Sequence, residues 1–186
     1  CYNLVLSHMV GDLGISTFSV LSFLYSLANA ILSGVAQGLQ PLWGNSYGRQ
    51  DTAGLRFCLR RGLAIDLVLA VWICGMLCLF DRPIIQIFNQ DPDLVASASA
   101  ALPVFALSFI PMALNLIYTA FLFSTKRTAQ ADCIALSRGV AVKALSIFAL
   151  PALLGEAAVW AAPLAAEVVT LFLAVGLERR TRLVYS

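Results

Sequence analysis

From Leu13 to Gly48 the chain runs for 36 residues without a single Asp, Glu, Lys or Arg. A helix that borders water needs a charged or strongly polar face, and this run offers only scattered serines and amides. The rest of the chain repeats the pattern: it is 60% hydrophobic and 12% charged, with mean hydropathy +0.87. A soluble domain carries about 25% charged residues, and a chain of this size cannot hide so much apolar surface in one aqueous core. The sequence is that of an integral membrane protein, all-α, because only helices or closed barrels satisfy their backbone in lipid. The net charge of +2 gives no footprint for nucleic acid.

Charge and proline divide the chain into spans. Residues 1–16 read as the end of a truncated helix and an outer loop, broken at Gly11-Asp12-Leu13-Gly14. The first span covers about 17–48, which as helix is ~48 Å long against a hydrocarbon thickness of ~30 Å. It must tilt, project or bend, and Pro41 is its natural hinge. Further spans lie at about 59–80, 94–123, 128–154 and 157–177, followed by the tail to 182 and residues 183–186. Pro103 and Pro111 punctuate the third span, and Asp91-Pro92-Asp93 opens it as a helix start. These spans are expected to form a bundle of about five transmembrane helices.

The basic residues fix a direction. Arg49, Arg56, Arg60 and Arg61 follow span one, Lys126 and Arg127 follow span three, and Arg179, Arg180 and Arg182 follow span five. The opposite loops hold Arg82 with Asp81, Asp91, Asp93 and Glu156. The positive-inside rule places the first set and the C-terminus in the cytoplasm. Span one then enters from outside. With no Met before Cys1 and no signal peptide, this implies at least one helix upstream.

Ionisable groups inside spans are functional candidates by default. Glu167 lies about ten residues, ~15 Å, into span five, near the midplane. Arg138 reaches a similar depth in span four from the opposite face, so the two are expected to meet across antiparallel helices. They form either a proton- or ligand-responsive pair or a structural ion pair. Lys143 either snorkels or reaches Glu156. Asp66, five residues past Arg61, either pairs with Arg60 or Arg61 at the interface or serves as a cation ligand. Asn115 and Tyr118 are polar groups of span three, Asn115 of the kind that bonds helix to helix. Gln37 and Gln40 share a face with Asn45 nearby, and either line a pathway or bond neighbouring helices. His8 reads as a solvated loop residue. The five cysteines read as small apolar groups, without a zinc pattern. No nucleophile elbow, phosphate loop, metal constellation or carboxylate dyad is present, so the sequence excludes the recognisable enzyme classes and calls for no cofactor.

Gly34-x-x-Gln37-Gly38-x-Gln40-Pro41 followed by Asn45-x-Tyr47-Gly48 resembles the cytoplasm-directed end of the eighth helix of the multidrug and toxic compound extrusion (MATE) family. Asn3-x-x-Leu6 and Gly11-Asp12-Leu13 resemble the end of the seventh helix and its outer loop. Leu136-Ser137-Arg138 resembles the eleventh helix, and Ala158-Val-Trp160-Ala-Ala-Pro163-Leu-Ala-Ala-Glu167 the twelfth. The resemblance covers essentially the whole chain. It implies one half of a two-lobed, twelve-helix transporter, the missing N-terminal lobe supplying the other half. It further implies a multi-pass protein of the bacterial inner membrane that exchanges drugs or organic cations for Na⁺ or H⁺. Span three has no acid past Asp93, so the cation site that some branches carry in the tenth helix is not matched. Coupling then falls to Glu167 or to the missing lobe. A lipid-linked glycan flippase of the same superfamily and a non-functional truncated remnant are the alternative readings.

Overall fold

The computed structural model describes residues 11–142, 146 and 160–182. The described chain is helical: α1 (Gly11–Gly48), α2 (Thr52–Leu79), a short α3 (Asp81–Gln86), α4 (Pro92–Ala106), α5 (Phe109–Ser124), α6 (Thr128–Leu136), a π-helical turn at Ser137–Ala141, and α7 (Ala162–Arg182). Two of these, α1 and α2, are long and apolar enough to cross a bilayer, and α4 with α5, bent by 44° at their junction, makes a third such span. Most of the fourth expected span, with Lys143, Pro151 and Glu156, lies outside the described residues, as does His8. The apolar part of α7, Ala162–Leu177, is shorter.

Local chemistry sets the helix ends. Asp51 caps α2, accepting from the Gly54 amide at 2.8 Å, and Asp91 caps α4, accepting from the Asp93 amide at 3.0 Å with Pro92 in the first turn. Gln50 and Lys126 turn the chain after α1 and α5 with φ of 57° and 59°, left-handed backbone of the kind that ends helices. Both turns carry basic residues, Arg49 in the first and Lys126 with Arg127 in the second. The Gly11–Gly14 segment, expected as a break, is helical and part of α1 instead. Gly14 is buried there. One turn on, buried Thr17 donates to the Ser97 hydroxyl of α4 at 3.2 Å, so packing overrides the local glycine signal. α1 also continues through Pro41, which withholds the N–H that would bond the Gln37 carbonyl.

The span expected as one helix over 94–123 is broken at Leu107–Ser108. Pro111 has no N–H for the Leu107 carbonyl, which Ile110 takes instead at 3.4 Å, and Ser108 Oγ donates to the Phe105 carbonyl at 2.6 Å. The bend is thus a proline effect whose freed acceptors are met locally.

Three apolar clusters hold the bundle. The largest joins Leu21, Leu24, Ala28 and Leu32 of α1 to Ala70 and Ile73 of α2 and to Leu102, Phe105, Phe109 and Met112 around the bend. A second, nearer the α1–α2 turn, packs Trp43 against Leu59, Ile117 and Phe121, the Trp43 and Phe121 rings 5.7 Å apart and perpendicular. A third joins Leu122, Ala131, Ile134 and Ala174 of α5, α6 and α7. The outer faces remain apolar: Phe23, Leu27 and Ile31 on α1, Val68 and Trp72 on α2 and Phe172 on α7 are exposed. Such a surface suits hydrocarbon, whereas water would make it an aggregation site.

Candidate functional site

Glu167 is fully buried in the second turn of α7, just after Pro163. Its carboxylate is a junction for three other segments. Tyr25 of α1 donates its hydroxyl to Oε1 at 2.7 Å, and Arg138 Nε donates to the same oxygen at 2.9 Å. Asn115 Nδ2 of α5 lies 2.9 Å from Oε2 and 2.9 Å from the Glu167 main-chain carbonyl. The far end of the guanidinium donates through Nη2 to Asn29 Oδ1 on α1. Each group is needed: a bare carboxylate in an apolar core costs several kcal/mol, and it is tolerated only when paired and hydrogen-bonded.

Local structure aims these side chains. Tyr25 and Asn29 are four residues apart and so stand on one face of α1. The Tyr25 ring rests on Phe105 and Phe109, with centroids 6.1 Å away in both cases. The bend between α4 and α5 therefore builds the cradle that points its hydroxyl at Glu167. Arg138 is the second residue of the π-helical turn, a wider turn that recurs at functional sites. Thr119, one turn after Asn115, bonds back to the Asn115 carbonyl at 2.7 Å and fixes that part of α5.

Beside this junction is a cavity of about 360 Å³ bordered by Tyr25, Asn29, Thr119, Arg138 and the small residues Ala135 and Gly139. The Arg138 side chain is 17% exposed and Glu167 not at all. The cavity therefore meets the carboxylate through its partners. A molecule entering there would compete first for the Arg138–Asn29 bond and the Tyr25 hydroxyl.

The structure brings together three of the residues singled out in the sequence, Glu167, Arg138 and Asn115, and adds Tyr25 and Asn29, which sequence reasoning missed. The available signal was a tyrosine and an amide at i and i+4 in a charge-free run. The remaining candidates lie elsewhere. Gln37 is exposed and Gln40 partly so. Gln37 follows Asn29 by two turns, ~12 Å along α1. Pro41 is exposed, and Tyr118 packs on the cluster formed by Leu122, Ala131, Ile134 and Ala174.

Asp66 corrects an expectation. It makes no ion pair with Arg60 or Arg61, and it is not at an interface with water: it is fully buried, and neither carboxylate oxygen has a hydrogen-bond partner among the described residues. The reason is register. Leu59, Gly62, Asp66, Ala70 and Ile73 form the buried stripe of α2, while Arg60 and Arg61 face out, Arg61 lying over the Phe57 ring at 5.3 Å.

The MatE family model matches residues 1–146. The fold is similar to that of a solved structure described as an outward-facing multidrug resistance MATE family transporter of the MOP superfamily, with a TM-score of 0.89 over 100% of this chain at 15% identity. An inward-facing MATE structure matches with a TM-score of 0.88 over 97% of the chain, also at 15% identity. A MOP superfamily transporter from Pyrococcus furiosus, whose binding pocket is described as reversed in polarity, matches with a TM-score of 0.86 over 97%. This chain spans 42%, 42% and 41% of those proteins respectively, the extent of one transporter lobe. No curated protein sequence matches. An all-helical lobe with lipid-compatible faces, a sequence that the family model matches over most of its length, and these folds agree: the chain belongs to the MATE family of membrane transporters.

Proposed function

We propose that the chain is the C-terminal lobe of a secondary active exporter that moves drugs or organic cations out of the cell by antiport with Na⁺ or H⁺. The observation that carries this reading is Glu167, a buried acid held by donors from three other segments at the edge of a cavity. Arg138, Asn115, Tyr25 and Asn29 set the charge and shape of that edge. An acid there can exchange its Arg138 partner for a coupling ion or for a cationic substrate, and either exchange loosens α7 from α1 and α5. Pro41 serves as the hinge of α1, with Gln37 and Gln40 shaping the cytoplasmic half of the pathway. The C-terminus lies in the cytoplasm, the protein works in the bacterial inner membrane, and a second lobe completes the pathway. It transports and does not catalyse.

Ethidium accumulation in cells lacking their own exporters tests this. Cells making the full-length protein should hold less ethidium, and Glu167→Gln should weaken the effect at unchanged membrane expression. Wild-type efflux by that variant would remove Glu167 from coupling.

A second reading draws on Arg138. Its guanidinium stands on the cavity wall, where it could meet an anionic headgroup, as a lipid-linked glycan flippase requires. Absence of ethidium efflux by the wild type, together with Arg138-dependent binding of an anionic lipid, would favour it.

A further inference from the structure

Asp66 poses a separate problem. It lies in the buried stripe of α2, between two apolar layers. One turn before it, Gly62 is pressed against Leu39, Trp43 and Ile117: a Cβ there would stand 2.7 Å from Leu39 Cδ1 and 3.3 Å from Trp43 Cζ2. One turn after it, Ala70 belongs to the layer of Leu24, Ala28 and Leu32. Both Asp66 oxygens lack a hydrogen-bond partner among the described residues.

Among the described residues, the elements packed against α2 offer no cation to Asp66. The run of α1 from Leu13 to Gly48 has no charged residue, and neither do residues 94–123 of α4 and α5. Tyr25 of α1 is committed to Glu167. On α2 itself Arg60 and Arg61 face out, and Asp81 and Arg82 of α3 lie ~22 Å or more along the helix direction. The same α1–α2 interface does contain a second unmet group, the buried indole N–H of Trp43, whose ring lies one turn from Asp66.

Among the described residues an ionised carboxylate here has no hydrogen-bonded donor and no counter-charge, and its surroundings are apolar. A metal cation would bring the charge but demands a shell of several oxygens, and Asp66 supplies two with apolar side chains above and below. A proton demands nothing further. We infer that Asp66 is a second, proton-specific site of this lobe: it holds a proton while α1, α2 and α5 are packed, and gives it up when α2 parts from them. On release the O–H bond breaks, the proton passes to an entering water, and further waters solvate the carboxylate left behind. The site is separate from Glu167 and does not depend on what is transported.

The test reads the proton directly. Infrared spectra of the full-length protein in lipid vesicles at neutral pH should contain the C=O stretch of a protonated, weakly hydrogen-bonded carboxyl group. Asp66→Asn should remove that band and Glu167→Gln should leave it. Asp66→Glu should move the band, which keeps the assignment secure if Asp66→Asn does not reach the membrane. A spectrum without the band, or one unchanged in Asp66→Asn, would overturn the inference. So would loss of the band when Na⁺ replaces choline at constant pH, because Asp66 would then be a metal-cation ligand. Ethidium efflux plays no part in this readout, so failure of the export reading and failure of the proton site are distinguishable.

Discussion

Glu167 and Asp66 are both carboxyl groups, both fully buried, and both set in apolar helices. Their surroundings are opposites. Glu167 receives three side-chain donors from α1, α5 and the π-helical turn, whereas Asp66 has none among the described residues. The difference is not in the immediate sequence, since each acid sits among Ala, Leu and Val. It lies in which residues the neighbouring helices present at that level: Tyr25, Asn115 and Arg138 in one case, apolar side chains in the other. A polar network of the first kind binds helices together, and a lone acid of the second kind leaves them free to part once its proton is lost.

The comparison breaks or sharpens most at Glu167. Glu167→Ala takes the carboxylate away from the Arg138 guanidinium, the Asn115 amide and the Tyr25 hydroxyl, leaving Arg138 a buried cation without its counter-charge, and should lower stability by about 3–5 kcal/mol. Thermal unfolding of the detergent-purified full-length protein measures this, and the double variant Glu167→Leu with Arg138→Met should recover much of the loss. A single-variant loss below ~1 kcal/mol, the scale of an ordinary hydrogen bond, would show that the network does not hold the lobe. Tyr25→Phe should cost less, about 0.6–1.7 kcal/mol, the range for hydrogen bonds between membrane helices, and should leave the packing on Phe105 and Phe109 intact. The smallest change is expected at Asp66. Asp66→Asn keeps the shape of a protonated carboxyl and should alter stability at neutral pH by no more than ~1 kcal/mol. A loss as large as that of Glu167→Ala would mean that the two acids are alike, and the contrast would fail.

Much of the fold was legible because membrane helices advertise themselves. The charge-free runs, the Asp91–Asp93 helix start and the basic turns follow from residue type alone, whereas α2 begins at Thr52 behind its Asp51 cap, ahead of the start expected near residue 59. The meeting of Arg138 with Glu167 was also legible, since depth along two antiparallel helices is simple arithmetic. What was hidden depended on register. Tyr25 and Asn29 look no different from Ser22 or Ser26 until α7 is laid beside α1, and Ser26 only bonds back to the Ser22 carbonyl at 2.9 Å. Asp66 was misread because its distance from Arg61 was counted and its face was not. The π-helical turn leaves no mark in Leu136-Ser137-Arg138, because it arises from packing and not from propensity. The helical course of α1 through Gly11–Gly14 is hidden for the same reason.

The order of the junction along the chain has a consequence for how the lobe is made. Tyr25, Asn29, Asn115 and Arg138 all precede Glu167, so each leaves the ribosome before the acid it serves. Until α7 is inserted, the Arg138 guanidinium has Asn29 but not its counter-charge, and the Asn115 amide lacks its acceptors on α7, an arrangement that protein quality control can recognise as unfinished. α7 therefore acts as the closing stitch of this junction, and a chain stopped before it would be expected to be degraded rather than stored.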